Sequence, residues 1–172
     1  MAGWKRNQSV QVGWILQPRV THEVVTETVT ARPIAAVRRQ VRASDISSAW
    51  RPALDQVWAF LRRHEGLRTE GHNVFVYHHP VWPGEPMNVE FGVEVIGAFE
   101  GDGEVVFTRT PAGEIATTLH VGPYDRLGEA HHAIDAWRAA NGRGLGGASW
   151  EIYGDPTDDP SKLEVQVVYL LT

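Results

Sequence analysis

At 172 residues and 42% hydrophobic content, the chain is long enough for one domain with a proper core, yet no apolar run is long enough to cross a membrane. The absence of cysteine excludes disulfides, thiolate chemistry and cysteine-based zinc sites. Net charge is −5 but uneven: residues 1–80 hold eleven Lys and Arg against six Asp and Glu, and residues 81–172 hold five against fifteen. The basic residues Arg38, Arg39, Arg42, Arg62 and Arg63 are split between a strand and a helix. They read as a solvated face rather than a nucleic-acid patch, and direct nucleic-acid binding is not expected. The start, Met1-Ala2-Gly3-Trp4-Lys5-Arg6, lacks the long apolar segment of a signal peptide, so a soluble, cytoplasmic protein is expected. Seven tryptophans is a high count for this length, and tryptophan grips flat ligands well.

Residues 1–19 mix polarities and read as an irregular N-terminal arm, with Trp14-Ile15-Leu16 placed to pack on the domain that follows. His22 to Thr30 favours a strand through Val24, Val25 and Val29. Pro33 interrupts, and Ile34 to Val41 continues as strand. Ser44 to Ser48 is a cap-rich turn before a helix that tolerates Pro52 in its first turn. Leu54, Val57, Trp58 and Leu61 recur at helical spacing and give that helix an apolar face, with Trp58 assigned to the core. Val74 to His79 is a strand. Pro80, Pro83, Gly84 and Pro86 make a rigid loop that holds Trp82. In Val89 to Val95, Val89, Phe91, Val93 and Val95 share one face and Glu90 and Glu94 the other.

Val105 to Phe107 and Ile115 to Val121 are strands, and Gly122-Pro123-Tyr124-Asp125 turns the chain, with Asp125 as N-cap and Tyr124 fixing the turn. Leu127, Ala130, Ile134 and Trp137 form the apolar face of a second helix, which Asn141-Gly142 ends. The glycine-rich stretch Gly142 to Gly147 opens no helix, so it is a connection rather than a phosphate loop. The strand Trp150-Glu151-Ile152-Tyr153, the turn from Asp155 to Pro160 and a last strand, Leu163 to Leu171, complete the chain.

The order strand, helix, strand, strand occurs twice, over roughly residues 20–97 and 104–172. Gly66 with Gly142, Gly71 with Gly147, Tyr77 with Tyr153 and Pro80 with Pro156 match at one common offset. The fold class is therefore α+β: duplicated units, a pseudo-two-fold antiparallel sheet, two main helices and a central cleft at the seam, a common place for a pocket. In this register Phe75 occupies the position equivalent to Glu151.

Alternation points Glu151 and Tyr153 to one face and Trp150 and Ile152 to the other. An acid in an aromatic, apolar run is costly to bury alone. It must reach solvent, find a partner within the fold or await one from outside, and the functional reading takes the third course. Trp50, Tyr77, Trp82, Phe91, Tyr153 and Tyr169 are the aromatics expected to line the cleft, with His120 reaching it or else stabilising its turn. The adjacent pairs His78-His79 and His131-His132 diverge on a strand and on a helix, so neither chelates a metal readily; no metal and no cofactor are expected.

The second half resembles the GyrI-like effector-binding domain, which is also the C-terminal drug sensor of certain AraC-type and MerR-type regulators. The resemblance rests on His120-Val121-Gly122-Pro123-Tyr124, a helix ending near Trp137 and Gly142, Trp150-Glu151-Ile152-Tyr153 with Asp155-Pro156, and a terminal strand through Tyr169. The first half joins through Ala31 to Val37 and the helix after it, so the match covers residues 20–172. The terminal strand runs Tyr169-Leu170-Leu171 where many relatives carry proline. The resemblance implies a fold that binds bulky, flat, often cationic compounds between its halves, with the family's central acid at Glu151. Regulators of this kind carry a DNA-binding module ahead of the domain; here only the short arm precedes it, so direct transcriptional control is not expected.

Three functions follow as expectations. The first is capture of a planar hydrophobic small molecule, giving sequestration of, or resistance to, a toxic natural product. The second is a hydrolase on the same cleft, as stand-alone relatives resemble, that opens the cyclopropane ring of DNA-alkylating compounds. Glu151 would activate the water, and the Tyr153 or Tyr169 hydroxyl would hold the carbonyl that gathers charge. The third is a protein-interaction module of the gyrase-inhibitor kind. Ligand identity and oligomeric state are not legible.

Overall fold

The computed structural model describes residues 22–172; the arm expected over residues 1–19 lies outside them. The chain forms β1 (Val25–Val29), β2 (Pro33–Val41), α1 (Ile46–Arg63), β3 (Arg68–His78) and β4 (Met87–Val95). It repeats the pattern as β5 (Val105–Arg109), β6 (Gly113–Val121), α2 (Gly128–Ala140), β7 (Leu145–Tyr153) and β8 (Glu164–Leu171). All eight strands join one antiparallel sheet in the order β1-β6-β8-β7-β3-β4-β2-β5. Fold class, duplication and the two main helices are as the sequence implies.

The first strand of each unit is exchanged between the units. β1 pairs with β6 and β5 pairs with β2, so each half borrows its outer strand from the other. The segments after β1 and after β5 meet where the Arg32 N–H donates to Thr110 Oγ1 at 2.9 Å and the Thr110 N–H donates to the Arg32 carbonyl at 2.9 Å. Nothing in the hydrophobic pattern of a short strand names its partner, which is why the repeat alone did not show this exchange.

The halves meet at β3 and β7. There Phe75 is the direct cross-strand partner of Glu151, flanked by Val74 opposite Ile152 and Val76 opposite Trp150. The repeat-equivalent pair therefore sits on the pseudo-two-fold axis. α1 and the core residues Val37, Phe75, Val89 and Phe91 pack on one sheet face, and α2 packs with Ala116, Val165, Val167 and Tyr169. The opposite face buries Ile34, Val74, Val76, Ile115, Trp150 and Val168 as a separate cluster.

Several local expectations are corrected. Pro52 lies inside α1, in its second turn, not its first. Asp125 sits within a short 3-10 turn, and α2 begins after Leu127 with no side-chain cap. Gly142, at φ +61°, does close α2, but the glycine run then enters β7 directly, with Gly147 at φ +80° where the pairing with β8 shifts register. Phe91, expected at the cleft, is fully buried under α1 and meets the ring of Phe75 edge-on at 5.0 Å. It faces the helix side as the alternation requires, but it lies too far below α1 to meet a guest.

Phe91→Ala is expected to lower unfolding stability by about 3–5 kcal/mol, read from the urea midpoint at unchanged slope. A loss under about 1 kcal/mol would place the ring outside the core.

Candidate functional site

Between the halves lies a cleft of about 620 Å³ on the helix face of the sheet. β3 and β7 make its floor, with Phe75, Tyr77 and Tyr153; α1 makes one wall, with Trp50, Leu54 and Trp58. The turn into α2 makes the other, with Tyr124 and Leu127, and Gly154-Asp155-Pro156 closes one end. The aromatic rings brace each other. Phase of the strand puts Tyr153 against Phe75 at 4.9 Å, while Trp50 tilts over Phe75 at 6.2 Å and Tyr124 meets Tyr153 edge-on at 5.6 Å.

Glu151 lies beneath this floor, 5% exposed. Its Oε2 accepts the Tyr77 hydroxyl at 2.8 Å and the Tyr153 hydroxyl at 2.7 Å. Its Oε1 accepts from His131 Nε2 of α2 at 2.8 Å. A carboxylate only accepts, so Nε2 carries the proton; the other ring nitrogen, Nδ1, lies 2.9 Å from the Tyr169 hydroxyl. Three donors from within the fold therefore meet the acid's hydrogen bonds, and none of them is a permanent cation. Tyr77 and Tyr153, equivalent residues of the two repeats, reach the same oxygen from either side of the pseudo-axis. A third donor comes from a helix that strand alternation alone could not place.

A second buried acid shows what is unusual here. Glu90, on the opposite sheet face and also 5% exposed, receives the Arg38 guanidinium at 2.8 Å and the Thr108 hydroxyl at 3.2 Å. Burial raises its pKa, but hydrogen bonds from His78 and Arg38 outweigh this and hold the carboxyl below its ordinary value. Glu90 is neutralised by a permanent cation. Among the described residues Glu151 has no Lys or Arg partner; it has two hydroxyls and an imidazole.

The surrounding tyrosines register that charge. Burial, then the negative charge of Glu151, pushes the Tyr77 and Tyr153 hydroxyls far above the ordinary 10.0. Burial, then Asp135 and Glu151, raises Tyr169 to about 12. At neutral pH all three are donors, fixed as O–H.

The remaining sequence candidates separate clearly. Trp50, Tyr77 and Tyr153 line the cleft, and Glu151 underlies it. Tyr169 is buried behind His131 and does not reach the cleft surface, because its strand, β8, lies one strand beyond β7. Trp82 is 68% exposed on the loop between β3 and β4, away from the cleft. His120 is buried, but its Nε2 pairs with the Pro123 carbonyl at 2.9 Å and its ring stacks on His22, so it fastens the turn that carries Tyr124. Sequence reasoning missed His131, Trp58 and Tyr124 as parts of the site. His131 stands four residues after Leu127 and three before Ile134, on the buried stripe of α2, and that spacing was the available signal. Trp58 is half-in and half-out: its indole N–H donates to Asn73 Oδ1 at 3.0 Å while its ring faces the cleft.

The sequence from residue 22 to 170 matches the GyrI-like small-molecule-binding domain. The chain belongs to this family. The crystal structure of the EcmrR C-terminal domain superposes with a TM-score of 0.72 at 22% identity, covering 88% of this chain and 98% of that one. A hydrolase from Listeria innocua superposes at 0.61 with 12% identity, covering 88% and 93%. SAV2435, in its structure bound to tetraphenylphosphonium, superposes at 0.59 with 10% identity, covering 87% and 94%. At these identities the likeness is one of fold. No curated protein matches the sequence.

Because the folded values of Tyr77, Tyr153 and Tyr169 lie above the unfolded value of 10.0, their contribution to stability is complete below pH 10 and is lost as pH rises beyond it. A titration at 295 nm should show these hydroxyls ionising only with the alkaline unfolding seen by circular dichroism. A native chain with three tyrosines ionised near pH 10 would contradict the buried network.

Proposed function

We propose that the chain captures a bulky, flat, hydrophobic organic cation in the cleft between its halves, and that the outcome is sequestration of a toxic compound. The observation that carries this reading is Glu151: a buried carboxylate with no Lys or Arg beside it among the described residues, directly under a floor of aromatic rings. Burying such a charge is costly, and hydroxyl donors relieve only part of the cost. A cation entering above the floor supplies the missing opposite charge in a medium where water screens it poorly. Trp50, Trp58, Tyr124 and Tyr153 offer ring faces and edges to the ligand's apolar body and add cation–π attraction. A volume of about 620 Å³ lies within the range of about 300–1,000 Å³ that suits drug-sized ligands. The tetraphenylphosphonium complex of SAV2435 supplies a bulky aromatic cation, tetrahedral rather than flat, that probes the charge attraction of this reading.

The cyclopropane-opening alternative uses the same residues. It needs a water within reach of Glu151. The carboxylate instead lies under the Tyr77 and Tyr153 hydroxyls, with three donors already engaged and 5% of its surface open. That arrangement favours holding a charge over activating a nucleophile. The proposal that capture confers resistance predicts unchanged ligand mass after incubation, whereas hydrolysis adds one water.

Tetraphenylphosphonium is expected to quench the tryptophan fluorescence saturably. Glu151→Gln should weaken this cation by at least about tenfold, as loss of about 1.4 kcal/mol or more of charge attraction requires, while neutral flat ligands bind as before. Trp50→Ala should weaken both kinds of ligand, and Trp82→Ala neither. Equal affinity of Glu151→Gln and the parent for the cation would defeat the proposal.

A further inference from the structure

His131 is the titratable group placed to change the charge of the cleft floor. It is not on the cleft surface; it touches the far oxygen of Glu151, at 2.8 Å, from α2. The carboxylate and the imidazole therefore form one unit whose net charge is −1 when the ring is neutral and zero when it is protonated. Both states keep the two hydrogen bonds of the ring. In the neutral ring Nε2–H donates to Glu151 and Nδ1 accepts the Tyr169 hydroxyl; in the protonated ring Nδ1–H donates to the Tyr169 oxygen instead. Only a hydroxyl rotation separates the two hydrogen-bond patterns.

We propose that cation capture is an exchange for a proton: binding of an organic cation over Glu151 drives the Nδ1 proton of His131 into solvent. The inference rests on the capture reading above and adds the residue that sets its pH range. A protonated His131 cancels the charge that attracts the ligand, and the ligand's charge in turn repels that proton, as linkage between two binding events requires. The ring is one-quarter exposed, which leaves the released proton a route to water. Other groups facing the pair cannot take over this role. Tyr77 on β3, Tyr153 on β7 and Tyr169 on β8 hold their protons through the neutral range. Asp135 and Arg138, further along α2, act on Tyr169 with opposite signs. His79, beyond the end of β3, hydrogen-bonds Ser149 and lies near His131, but burial and that neighbour disfavour its charged form. At the cleft mouth His72 faces Asp155 at 3.8 Å and, among the described residues, is the one competing imidazole on the cleft surface itself.

The test is the affinity of the intact chain for tetraphenylphosphonium from pH 5 to 8, the range in which imidazoles ordinarily titrate. For the parent, the dissociation constant should tighten towards about tenfold per pH unit on the acid side and level off above it, the signature of one proton. Calorimetry in two buffers of different ionisation enthalpy should count about one proton released per ligand on that acid limb. His131→Gln keeps a donor to Glu151 and an acceptor for Tyr169, and should bind with no slope; His72→Gln should keep the slope. The neutral analogue triphenylphosphine oxide should show none. A slope that survives in His131→Gln, or a parent that binds the cation with neither slope nor proton release, overturns the exchange while leaving capture intact. Absence of tetraphenylphosphonium binding at every pH removes the capture reading and the exchange with it.

Discussion

The structure depends on one constraint: a carboxyl group buried on the pseudo-two-fold axis must have its hydrogen bonds met by the fold rather than by water. Glu151 meets it by drawing donors from three elements. Tyr77 comes from the first half, Tyr153 from the second and His131 from the helix that covers the second. Each of these bonds ties a different part of the chain to the seam, so the acid organises the cleft as well as charging it. The seam is also where β3 of one unit pairs with β7 of the other, in addition to the exchanged pairings of β1 with β6 and β5 with β2.

Duplication also explains why the charge is single. The axis passes between Phe75 and Glu151, which occupy the same place in their repeats. Two acids there would face each other across one strand pair and repel. Two phenylalanines would leave the Tyr77 and Tyr153 hydroxyls buried with no acceptor. One of each lets two symmetry-related hydroxyls converge on one oxygen and turns a symmetric fold into an asymmetric receptor. The contrast with Glu90 makes the point electrostatically. That acid, equally buried, is matched by Arg38, whereas Glu151 is held by two hydroxyls and an imidazole and has no Lys or Arg partner among the described residues.

Much of this was legible in the residues. Strand alternation placed Glu151 and Tyr153 on one face, and the common offset of Tyr77 with Tyr153 located the axis. Helical spacing found the buried stripes of both helices. The failures have physical causes. Alternation says which face a residue shares but not what covers it, so Phe91 was sent to the cleft when α1 seals it off. A rigid proline loop fixes Trp82 without saying where the loop points, and it points to solvent. The exchange of β1 and β5 between the halves depends on pairing across the whole chain, which no local pattern encodes. His131 was set aside because adjacent histidines chelate poorly; its own place on the α2 stripe carried the information instead.

The central claim is that the positive centre of a bound cation rests over Glu151, separated from it by the Tyr77 and Tyr153 hydroxyls. Anomalous scattering from crystals grown with tetraphenylarsonium locates that centre directly. A single arsenic peak above the two hydroxyls, between Trp50 and Tyr124, is the result expected. A peak elsewhere on the molecule, or a cleft whose ligand holds its charge away from the β3–β7 floor, would contradict it.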